Sequence, residues 1–335
     1  MTASKIEWTD ATWNPVRGCA IVSKGCTNCY AMKQAHRFSG PGRPYEGLTT
    51  LSKGGPVWTG KVRTVPELLD APLRWKKPRR IFVNSMSDLF HEDVPDAFLL
   101  QVFDVMRQCE NGYSSRTKRP TGSHTFQILT KRPARMLDFC RRLRFGQNDS
   151  RGMYLAADAA HQGFNPVPAL KHVHLGVSVE DQASADERIP LLQQTPAAVR
   201  WVSAEPLLGS IDLREIPRID HEHPHPNHYD IGDLDWLVTG GESGPGARPS
   251  HPDWFRSLRD QCAAAGVPFF FKQWGDWRDA VGFAREKNLP DERRTITYEQ
   301  AYLTGTRSMR KKIVRVGKRA AGRLLDGRTH DEYPA

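Results

Sequence analysis

Three of the chain's six cysteines, Cys19, Cys26 and Cys29, fall within eleven residues, while Cys109, Cys140 and Cys262 lie far apart. Thiols this close in sequence can turn their sulfurs toward one metal centre, because a short loop folds inward easily. A structural zinc closes its shell with a fourth ligand, usually from two Cys-x-x-Cys pairs or a Cys/His set. Here Cys26 and Cys29 make one such pair and Cys19 stands alone. Three thiolates on a four-iron cluster leave one iron open, and an open metal position is what catalysis at a metal needs. The spacing allows three readings: a 4Fe–4S cluster with one free iron, a zinc closed by a ligand such as His36, or three reduced cysteines in a core.

The elements that must position this loop are short apolar segments alternating with longer amphipathic ones. Strands are expected over 80–84, 124–129, 172–179, 199–203, 235–239 and 267–272, and 6–13 could supply a first strand. Helices are expected over 31–38, 66–75, 95–108, 134–143, 181–194 and 254–265, the second opened by Pro66 at its first position and the last stopped by Gly266. Such alternation argues for an α/β fold of parallel βα units closing as a barrel or partial barrel. Residues 39–56 read as an ordered Gly/Pro-rich loop. Surface insertions are expected at about 111–123, 144–170 and 218–233. The expected organisation is one barrel domain over 1–276 and a basic C-terminal extension, 277–335, packed on it.

In parallel α/β folds the working residues sit where strands end. Polar residues occupy six predicted ends here: Ser85, Ser87 and Asp88; Lys131; Ser178 and Glu180; Ser203 and Glu205; Glu242; and Lys272 with Gln273. Singly, each is accounted for as a helix cap or a surface ion pair. Together they supply the cation, the carboxylates and the hydroxyls that a ligand with a carboxylate, an amine and a ribose requires. The Gly240-Gly241 pair permits close backbone approach.

The net charge is +10, from 48 Lys and Arg against 38 Asp and Glu. That balance suits a polyanionic partner such as nucleic acid. Basic runs occur at 74–80, 116–119, 131–144 and 307–319, and each alone reads as a solvated face. No apolar run approaches the roughly 18 residues of a membrane span, and the N-terminus lacks the form of a signal peptide. A cytoplasmic protein with reduced thiols and no membrane contact is expected, a setting that favours a metal over disulfides at the cysteine loop.

Over nearly its whole length the chain resembles the radical S-adenosylmethionine superfamily, and within it bacterial and phage proteins with no assigned reaction. The stretches that carry the resemblance are Asn14-Pro15 with Gly18-Cys19, Gly25-Cys26-Thr27-Asn28-Cys29-Tyr30-Ala31, Ser85-Met86-Ser87-Asp88-Leu89-Phe90, Ile128-Leu129-Thr130-Lys131-Arg132-Pro133, Ser203-Ala204-Glu205-Pro206-Leu207, Gly240-Gly241-Glu242-Ser243-Gly244 and Phe270-Phe271-Lys272-Gln273-Trp274-Gly275. A local likeness to the spore photoproduct lyases, which repair a thymine dimer in DNA, rests on Cys26 to Tyr30, Ser87-Asp88 and Thr130-Lys131. Three features depart from these patterns. Six residues separate the first two cysteines where the superfamily has three, and the Gly-Gly-Glu triplet follows a late strand instead of the second. Ser85 stands where the lyases keep a hydrogen-donating cysteine, and a hydroxyl O–H is too strong to give up a hydrogen atom readily, which argues against the same repair reaction.

The resemblance implies a partial (β/α)6-type barrel carrying a 4Fe–4S cluster on Cys19, Cys26 and Cys29, with S-adenosyl-L-methionine on the open iron. The reaction implied is cleavage of that cofactor to a 5′-deoxyadenosyl radical, fed by an electron donor of flavodoxin or ferredoxin type. Ser87, Lys131, Ser178, Glu205, Gly240, Gly241 and Glu242 are then cofactor-binding candidates, and Tyr30, Ser85 and Asp88 catalytic ones. Nucleic acid is the expected substrate, in repair or base modification. The alternatives are a non-catalytic nucleic-acid-binding protein with a structural zinc or cluster, and a radical enzyme acting on a peptide or small metabolite.

Overall fold

The computed structural model describes residues 4, 6–110, 112–114, 116–145, 153–157, 167–217, 231–281, 295–300 and 309–334. The insertion expected over 218–233 falls almost wholly outside these residues, as does much of that over 144–170. Seven strands join in one sheet in the order of the sequence: β1 (Ala11–Trp13), β2 (Arg80–Val83), β3 (Thr125–Thr130), β4 (Val173–Val179), β5 (Val199–Ala204), β6 (Trp236–Gly240) and β7 (Phe269–Gln273). The pairs β1–β2, β2–β3, β3–β4 and β6–β7 are parallel. The helices between them are α1 (Tyr30–His36), α2 (Asp96–Gln108), α3 (Pro133–Arg142), α4 (Gln182–Gln193) and α5 (Pro252–Ala265). This is the expected α/β class. Strands such as Ile81-Phe82-Val83 are buried throughout, which is why they read as continuous apolar runs without alternation.

The chain forms two compact units, Met1–Ser178 with Arg188–Trp201, and Val179–Glu187 with Val202–Ala335. In the first, α2 buries Phe98, Leu99, Val102, Phe103 and Met106, the helical stripe that its sequence shows. Two expectations fail here. Residues 66–75 form two 3₁₀ turns, Pro66–Leu68 and Pro72–Arg74. A helix would carry the Leu68 carbonyl to the N–H of residue 72, and proline has none; the indole N–H of Trp13 donates to that carbonyl at 2.8 Å. Residues 39–56 are not all loop: Thr49–Ser52 pairs antiparallel with Gly55–Trp58. This hairpin packs on α1 through Met32, Ala35, Leu48 and Trp58, with Cys19 and Cys29 against the same cluster.

In the second unit α5 ends at Gly266 in the left-handed region, as its sequence predicts. Three antiparallel strands, Trp277–Asp279, Met309–Arg315 and Thr295–Gln300, form a small sheet in that order. The chain end is tied to β6 and β7. The Phe271 N–H donates to His330 O at 3.0 Å, the Trp236 indole donates to Glu332 O at 2.8 Å, and Tyr333 stacks on Trp236 with centroids 5.1 Å apart. No helix of the described residues is long and apolar enough to cross a membrane.

Candidate functional site

In the first unit the segment after β1 and the turn after β2 are laced together. Asn14 Oδ1 accepts from Ser85 Oγ at 3.2 Å and from the Met86 N–H at 3.1 Å. Ser87 Oγ donates to Val16 O at 2.7 Å, and Gly18 bridges to Ser87. Gly18 adopts φ +88, and a Cβ there would lie 2.2 Å from Lys61 O, so only glycine fits beside Cys19. Tyr30 is 56% exposed, and its hydroxyl donates to Ser85 O at 2.6 Å. Tyr30 and Ser85 are thus neighbours in the fold.

Asp88, a catalytic candidate in the sequence, is buried and fully engaged. Its carboxylate accepts from the Phe90 N–H at 3.0 Å, Thr130 Oγ1 at 2.7 Å, the Lys131 N–H at 3.1 Å and Arg132 Nη1 at 3.1 Å. Four donors saturate a carboxylate, so Asp88 is the buried clamp that joins the turn after β2 to the turn after β3. That clamp aims two cations. Lys131 Nζ reaches Ser178 Oγ, near the end of β4, at 2.8 Å. Arg132 is held by Glu92 at 2.9 Å through Nε and lies 4.0 Å from Cys19 Sγ through Nη1.

All three N-terminal cysteines are free thiols of intermediate exposure. Burial first, then the Asp88 carboxylate, push the Cys19 thiol up to about 12, while Arg132 works the other way. Burial first raises the Cys29 thiol and the nearby Cys26 adds to it, while the N–H groups of Ala31 and Met32 and the Lys131 charge work the other way; Cys26 and Cys29 both add to the rise at Cys19. The loop therefore brings the three sulfurs into one neighbourhood with Asp88, Lys131 and Arg132. Among the described residues no group of three His, Cys, Asp or Glu side chains closes around a single metal ion. His36 Nδ1 is engaged by Thr49 Oγ1 at 3.1 Å and Ser39 Oγ at 3.3 Å.

The remaining candidates lie in the second unit. Glu205 pairs with Lys272 Nζ at 2.8 Å. A Cβ on Gly240 would lie 3.1 Å from Glu205 Oε1, and one on Gly241 would lie 2.0 Å from Trp274 O. The two glycines therefore admit close approach by the chain's own groups. Glu242 is buried, and Arg248 grips it through its N–H at 2.8 Å, Nε at 3.0 Å and Nη2 at 2.5 Å. Sequence reasoning missed Arg132, Glu92, Asn14 and Arg248. Arg132 and Asn14 stood inside stretches already singled out, whereas Glu92 and Arg248 carry no pattern and are recognisable only by what they touch.

No curated protein and no solved structure matches the chain. A family model covers residues 3–334, and the chain belongs to the family it describes, "Protein of unknown function (DUF5131)".

Proposed function

We propose that this protein is a radical S-adenosylmethionine enzyme holding a 4Fe–4S cluster on Cys19, Cys26 and Cys29, with nucleic acid as its substrate. The observation that carries the reading is the meeting of the cysteine loop with the turns after β2 and β3, where Arg132 stands 4.0 Å from Cys19 Sγ. Three thiolates from one short loop are a donor set that can hold three corners of a four-iron cluster and leave the fourth iron open. Thiols that burial raises are protonated while free, and a cationic centre takes the place of those protons. A cluster held by Cys19, Cys26 and Cys29 would pass one electron from a flavodoxin- or ferredoxin-type donor to S-adenosylmethionine, giving methionine and a 5′-deoxyadenosyl radical, and the protein would supply position and electrostatics.

Lys131 is the cation for the cofactor's carboxylate, and Ser178 holds its ammonium in place. Ser87, fixed by Val16 O, keeps its oxygen lone pairs for a ligand donor. Asp88 positions Lys131 and Arg132 and is not itself an acid or base in the reaction. Glu205 and Glu242 already hold Lys272 and Arg248, so an amine bound there would have to displace a charge-assisted pair. Tyr30, exposed next to Ser85, lies on the substrate side.

Anaerobic reconstitution with iron and sulfide is expected to give a brown protein with an iron–sulfur EPR signal that makes 5′-deoxyadenosine under reduction. Replacing any one of Cys19, Cys26 and Cys29 by Ala removes signal and product together. A colourless protein with tightly bound zinc, or a cluster that survives these substitutions, would overturn the reading.

A further inference from the structure

The net charge is not spread over the chain. Residues 14–63 contain eight Lys and Arg (Arg17, Lys24, Lys33, Arg37, Arg43, Lys53, Lys61 and Arg63) and one acid, Glu46, which leaves 40 against 37 for all the rest. Each basic run elsewhere meets at least one acid. Arg80 binds Asp10, Arg116 binds Asp70, Arg135 and Arg142 share Asp96, and Arg315 binds Asp276. Within 14–63 the single carboxylate is taken by a backbone group, since Gly42 N–H donates to Glu46 Oε2 at 2.7 Å. Lys24, Arg37, Arg43, Lys53, Lys61 and Arg63 are exposed.

The same segment carries Ile21, Val22, Tyr30, Phe38 and Leu51, five of the ten large hydrophobic residues exposed among the described residues. It folds as one piece around the cysteine loop. Tyr45 N–H donates to Phe38 O at 3.0 Å and Thr59 N–H to Leu48 O at 3.0 Å, Arg63 Nη2 donates to Glu46 O at 3.2 Å, and the Lys61 carbonyl packs on Gly18. Exposed aromatic and aliphatic side chains among cations, in a segment with a single acid, are what a single strand of nucleic acid needs, phosphates on the cations and bases on the apolar groups.

We propose that residues 14–63 form the nucleic-acid-binding surface, an apron on which a single strand lies across Phe38, Arg37, Arg43, Lys53 and Lys61 toward Tyr30. Binding at the apron needs no iron; only its use as a substrate surface rests on the function proposed above. The test is fluorescence anisotropy of the full chain, without reconstitution, on a short labelled single-stranded DNA and on RNA of the same sequence over a range of salt. Lys53→Glu with Lys61→Glu is expected to weaken binding by an order of magnitude or more. The slope of log Kd against log salt should flatten by about 0.7 for each phosphate left without its cation. Arg37→Glu with Arg43→Glu should do the same, and Phe38→Ala should weaken binding with the slope unchanged. Lys76→Glu with Lys77→Glu makes the same charge change outside the segment and should have little effect, and unchanged thermal unfolding shows that each variant folds. Equal losses at 53/61 and 76/77 would overturn the location, since net charge alone would then explain them. No binding to either strand would overturn the proposal and leave the apron to an acidic protein. Binding by a wild-type chain that takes up no cluster on reconstitution would sink the enzyme reading and leave the apron standing.

Discussion

The Arg132 guanidinium reaches from the turn after β3 to within 4.0 Å of the Cys19 sulfur. It cannot drift, because Asp88 holds Nη1 at 3.1 Å and Glu92 holds Nε at 2.9 Å. A fixed cation beside a thiolate favours its charged form, and hydrogen bonds to ligand sulfur help to set a cluster's reduction potential. Replacing Arg132 by Met is therefore expected to move the midpoint potential of the reconstituted cluster to more negative values, with iron content close to wild type. EPR-monitored redox titration reads this directly; an unchanged potential would reduce Arg132 to a packing role.

Asp88→Ala removes the clamp itself. Arg132, only 5% exposed at its side chain, would keep Glu92 but lose its buried partner. Breaking a buried pair from one side costs about 3–5 kcal/mol, and the surviving Glu92 contact sets the expected loss near the lower end, about 3 kcal/mol. Urea denaturation of the unreconstituted protein measures it. A loss under about 1 kcal/mol would mean that the clamp does not bear on the fold.

Lys131→Met keeps most of the side chain's length and removes its charge. A hydrogen bond to a charged group is worth about 1.5–3 kcal/mol, so S-adenosylmethionine should bind at least tenfold more weakly to the reconstituted protein. Calorimetry gives the affinity, and the visible absorbance of the same sample shows whether the cluster is intact. Wild-type affinity would remove Lys131 from the cofactor site.

The pH dependence of stability should carry the mark of His174. Burial first, and His172 second, depress it to about 4 from an ordinary value of 6.5. Between these values the folded protein leaves His174 neutral while the unfolded chain takes up a proton, so stability rises with pH across that window. The contribution is complete above about 6.5 and is lost as pH falls toward about 4, at most roughly 3 kcal/mol for this one group. His174→Gln should flatten the denaturation profile between these limits. Part of the slope should remain, because burial also lowers His91, His124, His251 and His330. A variant profile identical to wild type would assign the acid sensitivity elsewhere.

The two misread segments share a cause. Residues 66–75 have helical spacing of Leu68, Leu69 and Leu73, but Pro72 cannot donate the hydrogen bond that would continue the turn. The Leu68 carbonyl takes the Ala71 N–H at 3.1 Å and the distant Trp13 indole at 2.8 Å instead. In 39–56 the hairpin strand Thr49–Ser52 is mostly exposed, so it shows no alternation, and its pairing with Gly55–Trp58 and its packing on α1 are what make it regular. Glycine and proline in the surrounding sequence marked the turns and hid the strands.

What the sequence alone determined is whatever depends on near neighbours. Continuous apolar runs made strands buried on both faces, and the stripe of α2 made it amphipathic. The three thiols, separated by so few residues, could hardly avoid one another. Only the tertiary structure decided which charges are spent. Lys131 and Arg132 are adjacent, yet one reaches toward Ser178 and the other toward Cys19, because Asp88, more than forty residues away, grips both. A run of arginines looks equally basic in sequence whether or not acids meet it in space. Here Asp70, Asp96 and Asp276 each meet a later run, and the segment around the cysteines contributes only Glu46 of its own. Ion pairs join residues far apart in the chain, and no local pattern records them.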